Sequence, residues 1–153
     1  MAQTKGRLSS RAVKFLRLPV GSKVLLLEAW VTLGVCRGIV LALPFRWIAP
    51  GLRARLPASA RNFSQPQARA VGWALRLASQ YTPWKSNCLA QAIAAKRMLH
   101  RRRLPSTLFL GVRKGAQDEF EAHAWIDFGP ITLTGGPDQA GYSVVSSFPD
   151  EEV

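Results

Sequence analysis

Two residues of this chain have the types and order needed for acyl transfer through a thiol. Cys88 lies in Trp84-Lys-Ser-Asn-Cys88-Leu and His123 in Ala122-His123-Ala124-Trp125, 35 residues later. A Ser-Asn pair before Cys88 and an Ala-rich run without Gly or Pro after it predict a helix start there. A thiol in the first turn of a helix meets the positive end of the dipole, which favours the nucleophilic thiolate. His123 falls in the alternating run Phe120-Glu-Ala-His-Ala-Trp-Ile-Asp-Phe128, which predicts a strand. A strand-borne imidazole beside a helix-borne thiol is the arrangement in which the ring takes the thiol proton. Taken singly, each residue has a plainer role. A Cys on an Ala-rich helix is by type a small buried hydrophobe, and a His on a strand is commonly structural.

The elements that must position this pair can be read along the chain. One hundred and fifty-three residues suit one domain with a real core, and five Trp and seven Phe supply large side chains for it. Residues 1–23 are basic and polar. The most apolar stretch follows, from Val24 to Leu43, interrupted by Glu28 and Arg37. Those charges and the short uncharged runs around them argue against a membrane span, and the late apolar onset argues against a signal peptide. One or two helices packed on the body or lying on a partner are expected, with membrane-surface attachment the lesser alternative. Gly51–Pro66 reads as a basic connector, and helices are predicted over Gln67–Tyr81 and Cys88–His100. Strands follow at Thr107–Val112, around His123, at Ile131–Thr134 and at Tyr142–Phe148, with breaks at Gly129-Pro130 and Gly135-Gly-Pro137. Helices first and then an antiparallel meander is an α+β order. The chain divides into an N-terminal basic and helical region, 1–66, and a core, 67–153.

Charge and cysteine usage narrow the function. All 21 Lys and Arg lie at or before Lys114, a stretch with Glu28 as its one acid, whereas eight acids and no base follow from Asp118. The net charge of +12 attracts anionic partners, but no nucleic-acid-binding motif accompanies it, so nucleic acid is not the expected partner. Arg101-Arg-Arg103 sits where a helix C-terminus favours cations, and Asp150-Glu-Glu reads as a solvated acidic tail. Two cysteines form no disulfide framework, and a reducing cytoplasm is expected. Cys36, Cys88, His100 and His123 show no paired-ligand spacing, so neither metal nor cofactor is expected.

The quoted contexts resemble a family. Cys88-Leu-Ala-Gln-Ala, Leu108-Phe-Leu-Gly-Val-Arg-Lys114 and Phe120-Glu-Ala-His-Ala-Trp125, in that order, are similar to the transglutaminase-like leader peptidases of lasso peptide biosynthesis, in their stand-alone form without a leader-recognition domain. The likeness runs from about Trp84 to Phe148. It implies a transglutaminase-like or papain-like cysteine peptidase core of helix plus antiparallel sheet, preceded by N-terminal helices. It also implies removal of the leader from a ribosomally made precursor peptide, assisted by a leader-recognition protein, before an asparagine-synthetase-like cyclase closes the macrolactam. Cys88 then carries over as nucleophile and His123 as general base and acid.

The family's third member, an Asp soon after the His, carries over less directly. With a hairpin turn at Phe128-Gly129, the residue facing His123 falls near Thr134 or Gly135, neither of them acidic. Asp138 lies just beyond and is the favoured choice. Asp127 shares the strand parity of His123 but stands four strand residues, about 13 Å, away. A dyad whose imidazole is oriented by a hydroxyl or a backbone carbonyl is the alternative. Ser86, Asn87 and Trp84 are neighbours able to complete an oxyanion site with the Cys88 N–H. A catalytically idle scaffold of the same fold, binding precursor or partner proteins, is the competing reading of the whole chain.

Overall fold

The computed structural model describes residues 15–58, 63–83 and 87–152, without the side chains of Asp138 and Glu152. Its architecture is α+β, with helices packed on one face of a four-stranded antiparallel sheet. Helix α1 (Val20–Ala42) begins after Pro19, and Pro44 follows its C-cap residue Leu43, whose N–H bonds the Ile39 carbonyl. The apolar stretch is therefore one continuous helix. Leu26, Ala29, Leu33 and Cys36 recur every three or four residues and bury one stripe of it. Burial in that stripe pushes the Cys36 thiol above its ordinary pKa. A single-turn helix α2 (Phe45–Ile48) and a 3-10 turn over Ala49–Leu52 follow.

Helix α3 (Gln65–Ser79) carries Pro66 in its first turn and buries Ala68, Val71, Gly72, Leu75 and Ala78. Helix α4 (Cys88–Arg101) is central: Ala90, Ala92 to Lys96, Met98 and Leu99 are all buried. It is touched by α1, α3 and the sheet together, and its many alanines let those neighbours approach closely. Glu28, the acid of the apolar stretch, is explained by this packing. It accepts from Arg102 and pairs with Arg101, which holds its carboxyl below the ordinary range. Two of the bases expected at a helix C-terminus thus serve as a tertiary clamp between α4 and α1.

Strands β2 (Thr107–Lys114), β3 (Phe120–Phe128), β4 (Ile131–Thr134) and β5 (Ser143–Pro149) lie in the order β4-β3-β2-β5. The expected meander is corrected here: β5 crosses to pair with β2 rather than β4. Phe148 joins the core beside Leu108, and the N–H of Asp150, just past β5, bonds the Ser106 carbonyl at 3.1 Å. That aspartate is also a correction, because it is no part of a solvated tail. Its side chain is fully buried, 2.8 Å from Lys96 Nζ, and it accepts from the Ser106 N–H. Burial pulls the Lys96 ammonium below its ordinary pKa while Asp150 opposes that shift. The connector also has structure: β1 (Arg55–Leu56) pairs in parallel with β6 (Glu151–Glu152), and Arg53 meets Glu151. A single hydrophobic core takes in residues of α1, α3, α4 and the sheet, from Leu26 to Phe148.

Alternation along β3 decides which side chains share a face. Ala124, Ile126 and Phe128 point into the helix-covered core. Trp125 stacks on its cross-strand partner Phe109 on the other face, at 5.6 Å and 17°. Gly111 is opposite His123, and a Cβ there would stand 2.8 Å from the Trp125 ring and 2.9 Å from Tyr142 Cβ. Only glycine lets these two aromatic side chains close over the strand at that point.

Candidate active site

Cys88 is the first residue of α4. The Asn87 side chain accepts from the Ala90 N–H at 2.9 Å, a cap that fixes the helix start at the thiol. The backbone N–H groups of a first turn have no intrahelical acceptor, so this end of α4 offers donors to a developing oxyanion. Cys88 itself is half-buried against the edge of the core. Trp84 and Ser86, the other proposed oxyanion neighbours, lie outside the described residues.

His123 stands on β3 among aromatic rings. Trp125 lies 6.0 Å away at 25°, and Tyr142 lies 5.0 Å away at 32°. Tyr142 is in turn covered by the Arg113 guanidinium at 4.6 Å, and Arg113 is paired with Glu121. The decisive contact is polar: His123 Nε2 is 2.7 Å from the carbonyl oxygen of Gly135. A carbonyl only accepts, so Nε2 must carry the proton, and in the neutral ring Nδ1 is left as the basic nitrogen. A backbone carbonyl therefore orients this imidazole, one of the two arrangements the sequence left open.

The turn that delivers the carbonyl follows from its residues. β3 and β4 pair only as far as Ile126 and Thr134, with a register shift between Ile126 and Asp127. Beyond that point Gly135 and Gly136 take positive φ values of 101° and 68°, which a glycine adopts at little cost. Pairing of β4 with β3 ends at Ile126, and beyond it the Gly135 turn lies against Ala124 and Trp125, with its carbonyl beside His123. Four residues away, Asp127 is occupied elsewhere: it accepts from Thr132 Oγ1 at 2.7 Å, and burial raises its carboxyl pKa. Asp138 belongs to the 3-10 turn Pro137–Gly141, just after the two glycines, and its side chain lies outside the described part.

Among the described residues no hydrogen bond joins Cys88 to His123. Helix α4 packs on both β3 and β4, but the alternation that turns Ala124 and Ile126 toward it places His123 with Trp125 and Tyr142 on the other face of the sheet. A cleft of about 290 Å³ among the described residues lies elsewhere. It is lined by Phe63, Thr107, Phe109 and Asp127, at the far end of β2 and β3 from Gly111 and His123. Sequence reasoning missed Tyr142 and the Arg113–Glu121 pair as neighbours of the imidazole. Nothing local marks them, because β5 reaches β2 only through the crossover.

Residues 29–147 match the family model described as the transglutaminase-like superfamily. The matched stretch includes Cys88, His123, Gly135 and Asp138. No curated protein and no solved structure matches the chain.

Proposed function

The chain belongs to the transglutaminase-like superfamily, and within it we propose a cysteine peptidase that removes the leader from a ribosomally made lasso peptide precursor. In this reading Cys88 is the nucleophile. His123 Nδ1 takes the thiol proton as sulfur attacks the scissile carbonyl carbon, and the N-terminal dipole and N–H groups of α4 face the oxyanion. The same imidazole then protonates the leaving amine, giving a thioester that water hydrolyses. The observation that carries the reading is the Nε2–Gly135 contact, which supports a fixed tautomer with Nδ1 as the free base. Asp138 is the candidate to support the imidazolium from the adjoining turn. A leader-recognition protein would deliver the substrate, and the freed core peptide would pass to the macrolactam-forming cyclase. The two cysteines are free thiols, which suits a reducing cytoplasm.

Incubation with the precursor, followed by mass spectrometry, tests this. Cys88→Ala and His123→Ala should each abolish leader removal, and the double variant should lose little more, because nucleophile and base act as one unit. Cleavage by Cys88→Ala at the unaltered rate would refute the peptidase assignment. The absence of a Cys88–His123 hydrogen bond, with His123 on the sheet face turned away from α4, favours a second reading, a non-catalytic scaffold that binds precursor or partner proteins. Iodoacetamide separates the two. A site thiol reacts far faster than the buried Cys36, and His123→Ala slows it; in a scaffold His123→Ala leaves the alkylation rate unchanged.

A further inference from the structure

The outer side of α1 presents an apolar stripe with no charge in it. Val20, Val24, Leu27, Val31, Val35 and Leu41 are exposed, most of them by half or more. With Gly38 they recur every three or four residues, so they form one line along the helix. The remaining exposed positions of α1, Gly21, Trp30 and Ala42, add no charge either. The stripe is roughly 30 Å long. Such a patch on a protein surface marks an interaction site.

Its surroundings say what covers it. At each end an exposed aromatic ring stands beside an exposed arginine: Phe15 with Arg17 at the start, Trp47 with Arg46 at the end. Over residues 15–58 the bases are Arg17, Lys23, Arg37, Arg46, Arg53 and Arg55, and the one acid, Glu28, is taken up by Arg101 and Arg102. An apolar stripe bounded by cations and interfacial aromatics complements a bilayer surface carrying anionic headgroups. A second copy fits poorly, since pairing two such faces would bring two chains of net charge +12 together. By length and composition α1 could also cross a bilayer, with 23 residues and an 18-residue window of mean hydropathy 1.9. Spanning would pull Leu26, Ala29, Leu33 and Cys36 out of the shared core and strip Glu28 of its arginines. We propose that α1 docks the protein on an anionic membrane surface, lying in the plane of the interface with its uncharged stripe in the headgroup–acyl boundary.

The test is sedimentation of the full chain with vesicles of phosphatidylcholine and phosphatidylglycerol in equal parts, and with phosphatidylcholine alone. The protein should pellet with the anionic vesicles and much less with the neutral ones. Added salt should weaken binding without abolishing it, because part of the interaction is apolar burial. Val24→Glu/Leu27→Glu/Val31→Glu alters only exposed positions, so folding, followed by thermal denaturation, should be unchanged while partitioning falls roughly a hundredfold. Failure to pellet with anionic vesicles overturns the proposal, as does undiminished pelleting of the folded triple variant. Vesicle-free protein that dimerises through this face, or binds a protein partner lost in the triple variant, without vesicle binding, reassigns the stripe and equally overturns it. Cys88→Ala should pellet like the parent, so failure of the peptidase reading leaves this result independent.

Discussion

Gly135→Ala tests the arrangement around His123 more sharply than any change to His123 itself. A Cβ at Gly135 would fall far inside normal contact with Trp125 Cβ, and within 3.1 Å of Trp125 Cα and 3.2 Å of the Ala124 carbonyl. Those neighbours are backbone and buried aromatic, so the turn must move, by about 1 Å to restore ordinary carbon contacts. Its φ of 101° adds strain for any L side chain, of order 1–3 kcal/mol. A shift of that size takes the 2.7 Å contact with His123 Nε2 out of hydrogen-bond range. Losing a net bond energy of about 1 kcal/mol relaxes the tautomer preference by several-fold, and a base misplaced by about 1 Å costs on the order of a hundredfold in turnover. Nitrogen-15 NMR of the imidazole reads the tautomer without any substrate, and leader cleavage reads the rate. Gly136→Ala is the control. That glycine has a positive φ of 68° but open space around its Cβ, so it carries the backbone strain without driving the carbonyl away. A folded Gly135→Ala protein that keeps the Nε2–H tautomer and the parental cleavage rate would refute the role given to the Gly135 carbonyl.

Asp138→Asn should lower turnover with the fold intact, whereas Asp127→Asn should leave cleavage unchanged and stability at neutral pH equal or higher, since burial disfavours the Asp127 charge; loss of cleavage in folded Asp127→Asn would reverse the assignment. Glu28 has a folded-state pKa below its ordinary 4.5, so its contribution to stability is present above the unfolded value and is lost as pH falls through the folded one. Glu28→Gln should therefore flatten that acid part of the stability profile, followed by urea midpoints from neutral pH downward. Lys96→Met leaves Asp150 buried without its cation and should cost about 3–5 kcal/mol in urea unfolding, part of which Lys96→Met/Asp150→Asn recovers.

Local rules carried much of the sequence reading. Asn87 with the alanines beyond it marks a helix start, and alternation around His123 marks a strand. Gly129-Pro130 and the Gly135-Gly136-Pro137 run mark turns, because each property depends on neighbours within a few residues. Helices followed by antiparallel strands, the α+β class, were legible for the same reason. Tertiary structure decided what depends on partners distant in the chain. Asp150 looks like part of an acidic tail until Lys96, 54 residues away, turns it into a buried ion pair. Glu28 looks like an interruption in an apolar helix until Arg101 and Arg102 arrive from α4. The crossover of β5 brings Tyr142 against His123, which no local pattern signals. The sequence by itself determined the residue types at the site and the elements that bear them. Only folding selected the Gly135 carbonyl as partner of His123, because that choice depends on a register shift in β3–β4 and on where the chain turns afterwards.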